Sequence, residues 1–351
     1  MAAFHINRQL THKKRFSFLK LIFAIFILLA FLFAGALIWY QNSLEPVSSS
    51  TEEKVVTIEV GATTSEIGQL LEDEGLIRSE TSFSIYTRFN NYRGKIQAGG
   101  YKISPSLSTQ EIVDKLVSGD VATDLFTILP AQRIDQIRAA FAADGYTVDE
   151  INSALDPENY EGHPALEGKP VESNLEGYLY PNSYQKTDAT VAGEIVKAAL
   201  DEMADALSPE LKAEFEKKNL STFEAITLAS IVEREVNNSE DRAIVAQVFL
   251  KRFQEGISLG SDPTALYGAL LFGIEPSVFA DTPYNTRIYT GLPPGPINNV
   301  STASLMAVAY PADTDYLFFV SGDDGKTYFS NTLAEHEALT AEHCIELCNS
   351  Y

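Results

Sequence analysis

The sequence predicts an α+β protein with a single N-terminal transmembrane helix, a small α/β module, and then a mainly helical α+β domain. Three observations carry this expectation. Residues 21–40, LIFAIFILLAFLFAGALIWY, contain no charge, and twenty helical residues at about 1.5 Å each cross a hydrocarbon core of about 30 Å. Between residues 54 and 122 strand-like and helix-like stretches alternate, and after residue 150 the apolar spacing turns mainly helical. Hydrophobic residues make up 45% of the 351, which supports real cores and excludes a wholly disordered or collagen-like chain.

Charge orients the chain. Lys and Arg total 26 against 48 Asp and Glu, a net −22. Arg8, Lys13, Lys14, Arg15 and Lys20 nevertheless fall in the first twenty residues, which hold no acid. Such a flank stays in the cytoplasm, so the bulk of the chain faces outward, with Trp39 and Tyr40 at the outer headgroups. A cleaved signal peptide is the competing reading. Its apolar core spans only about 7–15 residues before a small-residue cleavage site, so twenty apolar residues ending in Trp-Tyr favour retention. The acidic remainder is unsuited to gripping nucleic-acid phosphates. The expected plan is a basic head (1–20), the membrane helix (21–40), a flexible polar linker QNSLEPVSSSTEE (41–53), a small module (54–122) and a larger domain (123–351).

In the small module, VVTIEV (55–60) reads as a strand broken by Gly61, and Ile67, Leu70 and Leu71 mark a helix closed by Gly75. GGYKIS (99–104) reads as a second strand, and Ser108 with Glu111 forms a capping box for a helix burying Ile112, Val113, Leu116 and Val117. FTILPAQRIDQIRAAFAADG (126–145) echoes the strand-turn-helix scheme. Helices are expected at 190–207, 222–236, 239–255 and 301–309, and a hairpin from YLFFV (316–320) through GDDG to KTYFS. The stretches 156–189 and 256–300 read as long loops, which usually carry function. Cys344 and Cys348 make no disulfide framework. With His336 and His343 they crowd into one terminal segment without a second ligand cluster, so a frayed, solvated helix is expected there rather than a metal site.

The segment STFEAITLASIVEREV (221–236) opens with a capping box, Ser221 and Glu224. At 100° per residue Glu235 falls between Leu228 and Ile231, while Glu233 falls between Ala229 and Ile226. Either carboxyl is thereby aimed at apolar surroundings, where burial raises its pKa toward what a general acid needs; the wheel does not choose between them. LEGYLYPNSY (175–184) sets Glu176 among tyrosines, whose faces suit the C–H faces of sugar rings. SDPTALYG (261–268) and TPYNTRIYTGLPPGPINN (282–299) follow, the latter rich in uncharged hydrogen-bonding groups.

In order, LEGYLYP, LASIVERE (228–235), SDPTALYG, YNTRIYTGLPPGPI (284–297), AYPADTDYLFFV (309–320) and FSNTLAEH (329–336) resemble the MltG, or YceG-like, family of membrane-anchored endolytic murein transglycosylases. The similarity spans most of residues 21–340. It implies that Glu235 is the catalytic residue and that Glu176 lines or shapes the cleft. Asp262, Tyr284, Asn285 and Thr286 are implied as substrate-binding positions. It further implies that 54–122 is a LysM-like module with glycan as partner, that 123–351 is the catalytic domain, that no metal or organic cofactor is needed, and that cell-wall synthases are partners. Asn182 and Ser183, Gly260, and Tyr310 depart from the family's frequent Asp-Thr, Gln and His. A two-carboxylate muramidase using Glu235 and Glu176, and a non-catalytic glycan-binding scaffold, are the alternatives.

Overall fold

The computed structural model describes residues 12–59, 61–187, 189–236, 239–346 and 348; residues 1–11 of the basic head lie outside these. Among them one helix is long and apolar enough to cross a membrane, α1 (His12–Leu44), whose apolar run is Ile22–Leu44. The chain divides into two compact units, Met1–Lys54 with Thr63–Gln97 and Lys102–Asp120, and Val55–Ala62 with Ala98–Tyr101 and Val121–Tyr351.

The stretch from Lys54 to Asp120, whose helices belong to the first unit and whose strands fall largely in the second, follows the local signals. β1 (Lys54–Ile58) is followed by α2 (Thr64–Asp73), which is capped reciprocally by Thr63 and Glu66. α3 (Glu80–Phe89) was not expected. Its buried face is Ser82, Phe83 and Thr87, too polar to leave an apolar period in the sequence. β2 (Gly99–Ile103) pairs with β1, and α4 (Thr109–Ser118) starts at the expected Ser108–Glu111 capping box. Leu71, Phe83, Ile112, Val113 and Leu116 are fully buried. The stretch read as a flexible linker is tied down for much of its length. α1 continues to Leu44, the Ser43 and Ser82 hydroxyls lie 2.5 Å apart, Arg78 donates to the Pro46 carbonyl through Nε (3.0 Å) and Nη2 (2.6 Å), and the Ser104 hydroxyl donates to the Ser50 carbonyl at 2.8 Å. Polar composition alone does not distinguish a solvated segment from one whose backbone is held by side-chain donors.

The second unit is built around one helix. β3 (Leu125–Thr127) leads through α5 (Ile134–Ala143) and α6 (Val148–Ala154) to β4 (Ser183–Gln185), which pairs antiparallel with β3 in the register Phe126 to Tyr184. α7 (Ala192–Ala206), α8 (Pro209–Lys217), α9 (Thr222–Glu235) and α10 (Ser239–Gln254) follow. Every residue of α9 from Ala225 to Glu233 is buried, so α9 is enclosed on all sides, with α8, α10, α11 (Asp262–Leu271) and α12 (Thr302–Ala309) against it. The four expected helices match α7, α9, α10 and α12 to within two residues at each end. α11 occupies part of the expected loop 256–300. Its sequence DPTALYGALL is apolar around most of its circumference and so shows no one-sided stripe. β5 (Phe318–Ser321) and β6 (Thr327–Ser330) form the expected hairpin.

The C-terminal segment requires a correction. α13 (Leu333–His343) is a defined helix with a Thr332–Glu335 capping box, and Cys344 and Cys348 are joined in a disulfide. Their spacing of four residues brings the two sulfurs together at the turn after the helix, so neither thiol is free to ligate a metal.

Candidate active site

The two glutamates that the helical wheel leaves undecided have different fates. Glu233 is 6% exposed, and its Oε2 accepts hydrogen bonds from the Ser301 backbone N–H (2.9 Å) and hydroxyl (2.7 Å), while Arg242 Nη2 lies 3.9 Å from Oε1. It anchors the start of α12. Glu235 ends α9; the next residue, Val236, is extended (φ −140°), so the chain leaves the helix there. The residue is half-buried, and its carboxyl accepts a 2.6 Å hydrogen bond from the Ser261 hydroxyl on Oε1. Desolvation pushes its pKa up to about 7, reinforced by Asp262, with Ser261, Arg234 and Arg252 pulling the other way. Such a group is both a competent acid and, once ionised, a competent base near neutral pH.

Ser261 precedes α11 and is held from several sides. Its N–H donates to Thr286 Oγ1 (3.2 Å), its carbonyl accepts from Thr264 Oγ1 (2.7 Å), and the Thr264 and Thr286 hydroxyls lie 2.8 Å apart. Asp262 pairs with Arg287 beside this network. Asn285 is fully buried; its amide donates to the Val278 and Ala280 carbonyls and accepts from the Arg287 N–H at 2.9 Å, so it staples its own loop. Tyr284 is half-buried with its ring 5.0 Å from that of Tyr267. Asp262 and Thr286 are thus gathered near Glu235, whereas Asn285 acts one step back through the loop.

Glu176 is only 5% exposed. It accepts from the Ile134 N–H at the start of α5 (3.0 and 3.2 Å to its two oxygens) and from the Tyr267 hydroxyl at 3.0 Å, and burial pushes its pKa up to about 7. The carboxyl therefore joins α5 to α11. Beside it, Gly177 (φ +86°) packs so closely on the 284–297 loop that a Cβ there would sit 2.5 Å from Pro296 Cβ. That loop is fixed to α9 as well, the Ile297 N–H donating to the Ser230 hydroxyl and the Asn298 amide to the Ser230 carbonyl. A separate surface cavity of about 860 Å³, lined by residues of 149–164 and 191–197, shares none of these side chains.

Sequence reasoning assigned no role to Ser261, Thr264, Tyr267 or Arg252. Arg252, on α10, donates through Nε to the Leu317 carbonyl (2.7 Å) and through Nη1 to the Leu259 carbonyl (2.6 Å), holding the turn that delivers Ser261. A Ser-Asp-Pro start of the kind that opens helices marked position 261; nothing local marked Arg252.

The sequence and the fold have counterparts among known proteins. Residues 56–342 match the YceG-like family, and the chain belongs to it. It is 31% identical over 322 residues to a Bacillus subtilis (strain 168) protein named endolytic murein transglycosylase, covering 86% of this chain and 88% of that one. A protein of the same name from Streptococcus pneumoniae (serotype 2, strain D39) is 29% identical over 358 residues, covering 92% of this chain and 65% of that longer one. A crystal structure of a YceG-like protein from Listeria monocytogenes superposes with a TM-score of 0.54 at 32% identity, over 83% of this chain and all of that one.

Proposed function

We propose that this protein is a membrane-anchored endolytic murein transglycosylase with Glu235 as its catalytic residue. The observation that carries the reading is the half-buried Glu235 at the end of α9, one carboxyl oxygen held by the Ser261 hydroxyl at 2.6 Å, in a chain whose relatives bear that name. Protonated Glu235 donates to the oxygen of the MurNAc–GlcNAc β-1,4 bond as that bond breaks. The carboxylate then takes the proton of the MurNAc C6 hydroxyl as this oxygen bonds to C1 of its own ring, leaving a 1,6-anhydro end. The nucleophile is held within the substrate, so positioning replaces activation of a water molecule. Ordinary glycoside hydrolysis uses a carboxyl pair. The burial of Glu176 and its engagement with Ile134 and Tyr267 speak against it as the second member.

The apolar run of α1 serves as the anchor, with the N-terminus cytoplasmic and the rest outside. Attachment through that helix favours nascent glycan strands near the membrane as substrate and termination of their elongation as the outcome. Residues 54–122 are read as a LysM-like glycan-binding module and cell-wall synthases as partners. The test is mass spectrometry of products from defined, uncrosslinked glycan. The parent is expected to release anhydro-ended fragments and Glu235→Gln none. Parental rates in Glu235→Gln, or products carrying an added water, overturn the reading.

A further inference from the structure

Among the described residues, Ser261 stands at a helix N-cap position without capping the helix. Ser79, Ser108, Ser208, Ser221 and Ser301 each precede a helix and accept a hydrogen bond from a backbone N–H of its first turn, the usual use of serine at that position. Ser261 occupies the same position before α11 with the same extended backbone (φ −83°, ψ 121°), yet its side chain makes no cap. Its hydroxyl donates instead to Glu235 Oε1 at 2.6 Å. The residue is 2% exposed, so the hydroxyl has little access to water. Its backbone is held at the N–H by Thr286 and at the carbonyl by Thr264. A helix cap is thus given up for a contact to the Glu235 carboxyl, and the Thr264 and Thr286 hydroxyls fix the backbone from which the serine side chain projects.

We infer that Ser261 is a positioning residue that holds Oε1 of Glu235 and so assigns both proton transfers to Oε2. This rests on the transglycosylase reading above. In the first transfer the Oε2 proton passes to the departing sugar oxygen, which keeps the electron pair of the broken C1–O bond. In the second the C6 hydroxyl oxygen bonds to C1 and its proton returns to Oε2, restoring the enzyme. Between the two, Oε1 shares the negative charge, and the Ser261 hydrogen bond to it becomes charge-assisted and stronger. Pinned by one oxygen, the carboxyl keeps the other facing the substrate through both steps, without the rotation that a free carboxyl undergoes.

The other charged groups acting on Glu235 are Arg234 on α9, Arg252 on α10 and Asp262 at the start of α11, the last itself paired with Arg287. None is removed by changing Ser261, so a shift in titration on substitution reports the hydroxyl. The experiment measures kcat, KM and the pH dependence of kcat for the full-length parent, Ser261→Ala, Ser261→Thr and Glu235→Gln on uncrosslinked glycan, with thermal unfolding of each. For Ser261→Ala the maximal kcat is expected to fall about tenfold or more, with KM within about threefold. The midpoint of its alkaline limb should rise by about one pH unit, because the ionised carboxyl has lost a donor. Ser261→Thr, which restores a hydroxyl, should return both toward the parent. A Ser261→Ala limb at the parental pH overturns the inference whatever the rate, since a merely structural loss does not move it; failure of Ser261→Thr to bring the midpoint back overturns it as well. If Glu235→Gln is silent while Ser261→Ala matches the parent, only this inference falls; if Glu235→Gln is active, the catalytic reading itself falls.

Discussion

Glu233 Oε2 accepts both the backbone N–H and the hydroxyl of Ser301, at 2.9 and 2.7 Å, so a carboxylate in the middle of the core serves as the anchor of another helix. Its neighbour two residues on, Glu235, is half-buried and has one oxygen held. Glu233→Ala removes the acceptor for both Ser301 donors and leaves Arg242, 9% exposed, without its acidic neighbour. A loss of about 2–4 kcal/mol in unfolding free energy is expected, measured by denaturant unfolding. Anhydro products should persist below the lowered melting temperature, and their absence in folded Glu233→Ala protein would count against the division of roles between the two glutamates.

The pH dependence of the reaction should follow Glu235. Its pKa is raised from 4.5 to about 7, so the donor form is complete in mild acid and disappears as pH rises through about 7. Turnover on soluble glycan is expected to hold up to about pH 6 and to fall about tenfold per unit well above 7. A rate that keeps rising to pH 9 contradicts a carboxylic acid donor at this position.

Glu176 titrates with a consequence for stability rather than chemistry. Its folded pKa, about 7, lies above the ordinary 4.5. The protonated carboxyl is therefore the favoured buried form, and its contribution is fully present below about pH 4.5 and lost as pH rises through about 7. Glu176→Gln keeps a carbonyl oxygen for Ile134 and an amide for Tyr267 without ionising. It should remove a fall in stability on the order of 3 kcal/mol between pH 4.5 and 7.5, while kcat drops less than tenfold. Chemical denaturation across that range reads the first, and product release the second. Complete loss of cleavage in a folded Glu176→Gln protein would revive the two-carboxylate hydrolase.

Gly177→Ala should disturb the site through the backbone. Position 177 has φ +86°, and an added Cβ meets Pro296 at 2.5 Å and Ile226 at 3.1 Å. A cost of about 1–3 kcal/mol is expected. Because the 284–297 loop that must yield also carries Thr286, KM or kcat should worsen with it. Unchanged melting and unchanged kinetics would show that the loop tolerates the displacement.

The membrane-length apolar helix, the capping boxes at Ser108, Ser221 and Thr332, the helices α7, α9, α10 and α12, and the terminal hairpin were legible in sequence because each depends on neighbours within a turn or two. So was the candidacy of Glu235, up to its tie with Glu233. α3 and α11 were not legible, since one buries polar residues and the other is apolar on most sides, and periodicity needs contrast between faces. The tied segment after the apolar helix α1 and the pairing of Cys344 with Cys348 depend on which atoms meet in space.

What the sequence by itself determined was an α+β chain with a membrane-length apolar helix near its start and two glutamates pointed into the apolar side of a later helix. Only the tertiary structure separated their surroundings. A helical wheel gives directions on its own helix, but a carboxyl's protonation depends on what the rest of the chain brings to it. Ser301, 68 residues away, gives two donors to one oxygen of buried Glu233, with Arg242 3.9 Å from the other; Ser261, 26 residues away, gives a single donor to half-buried Glu235.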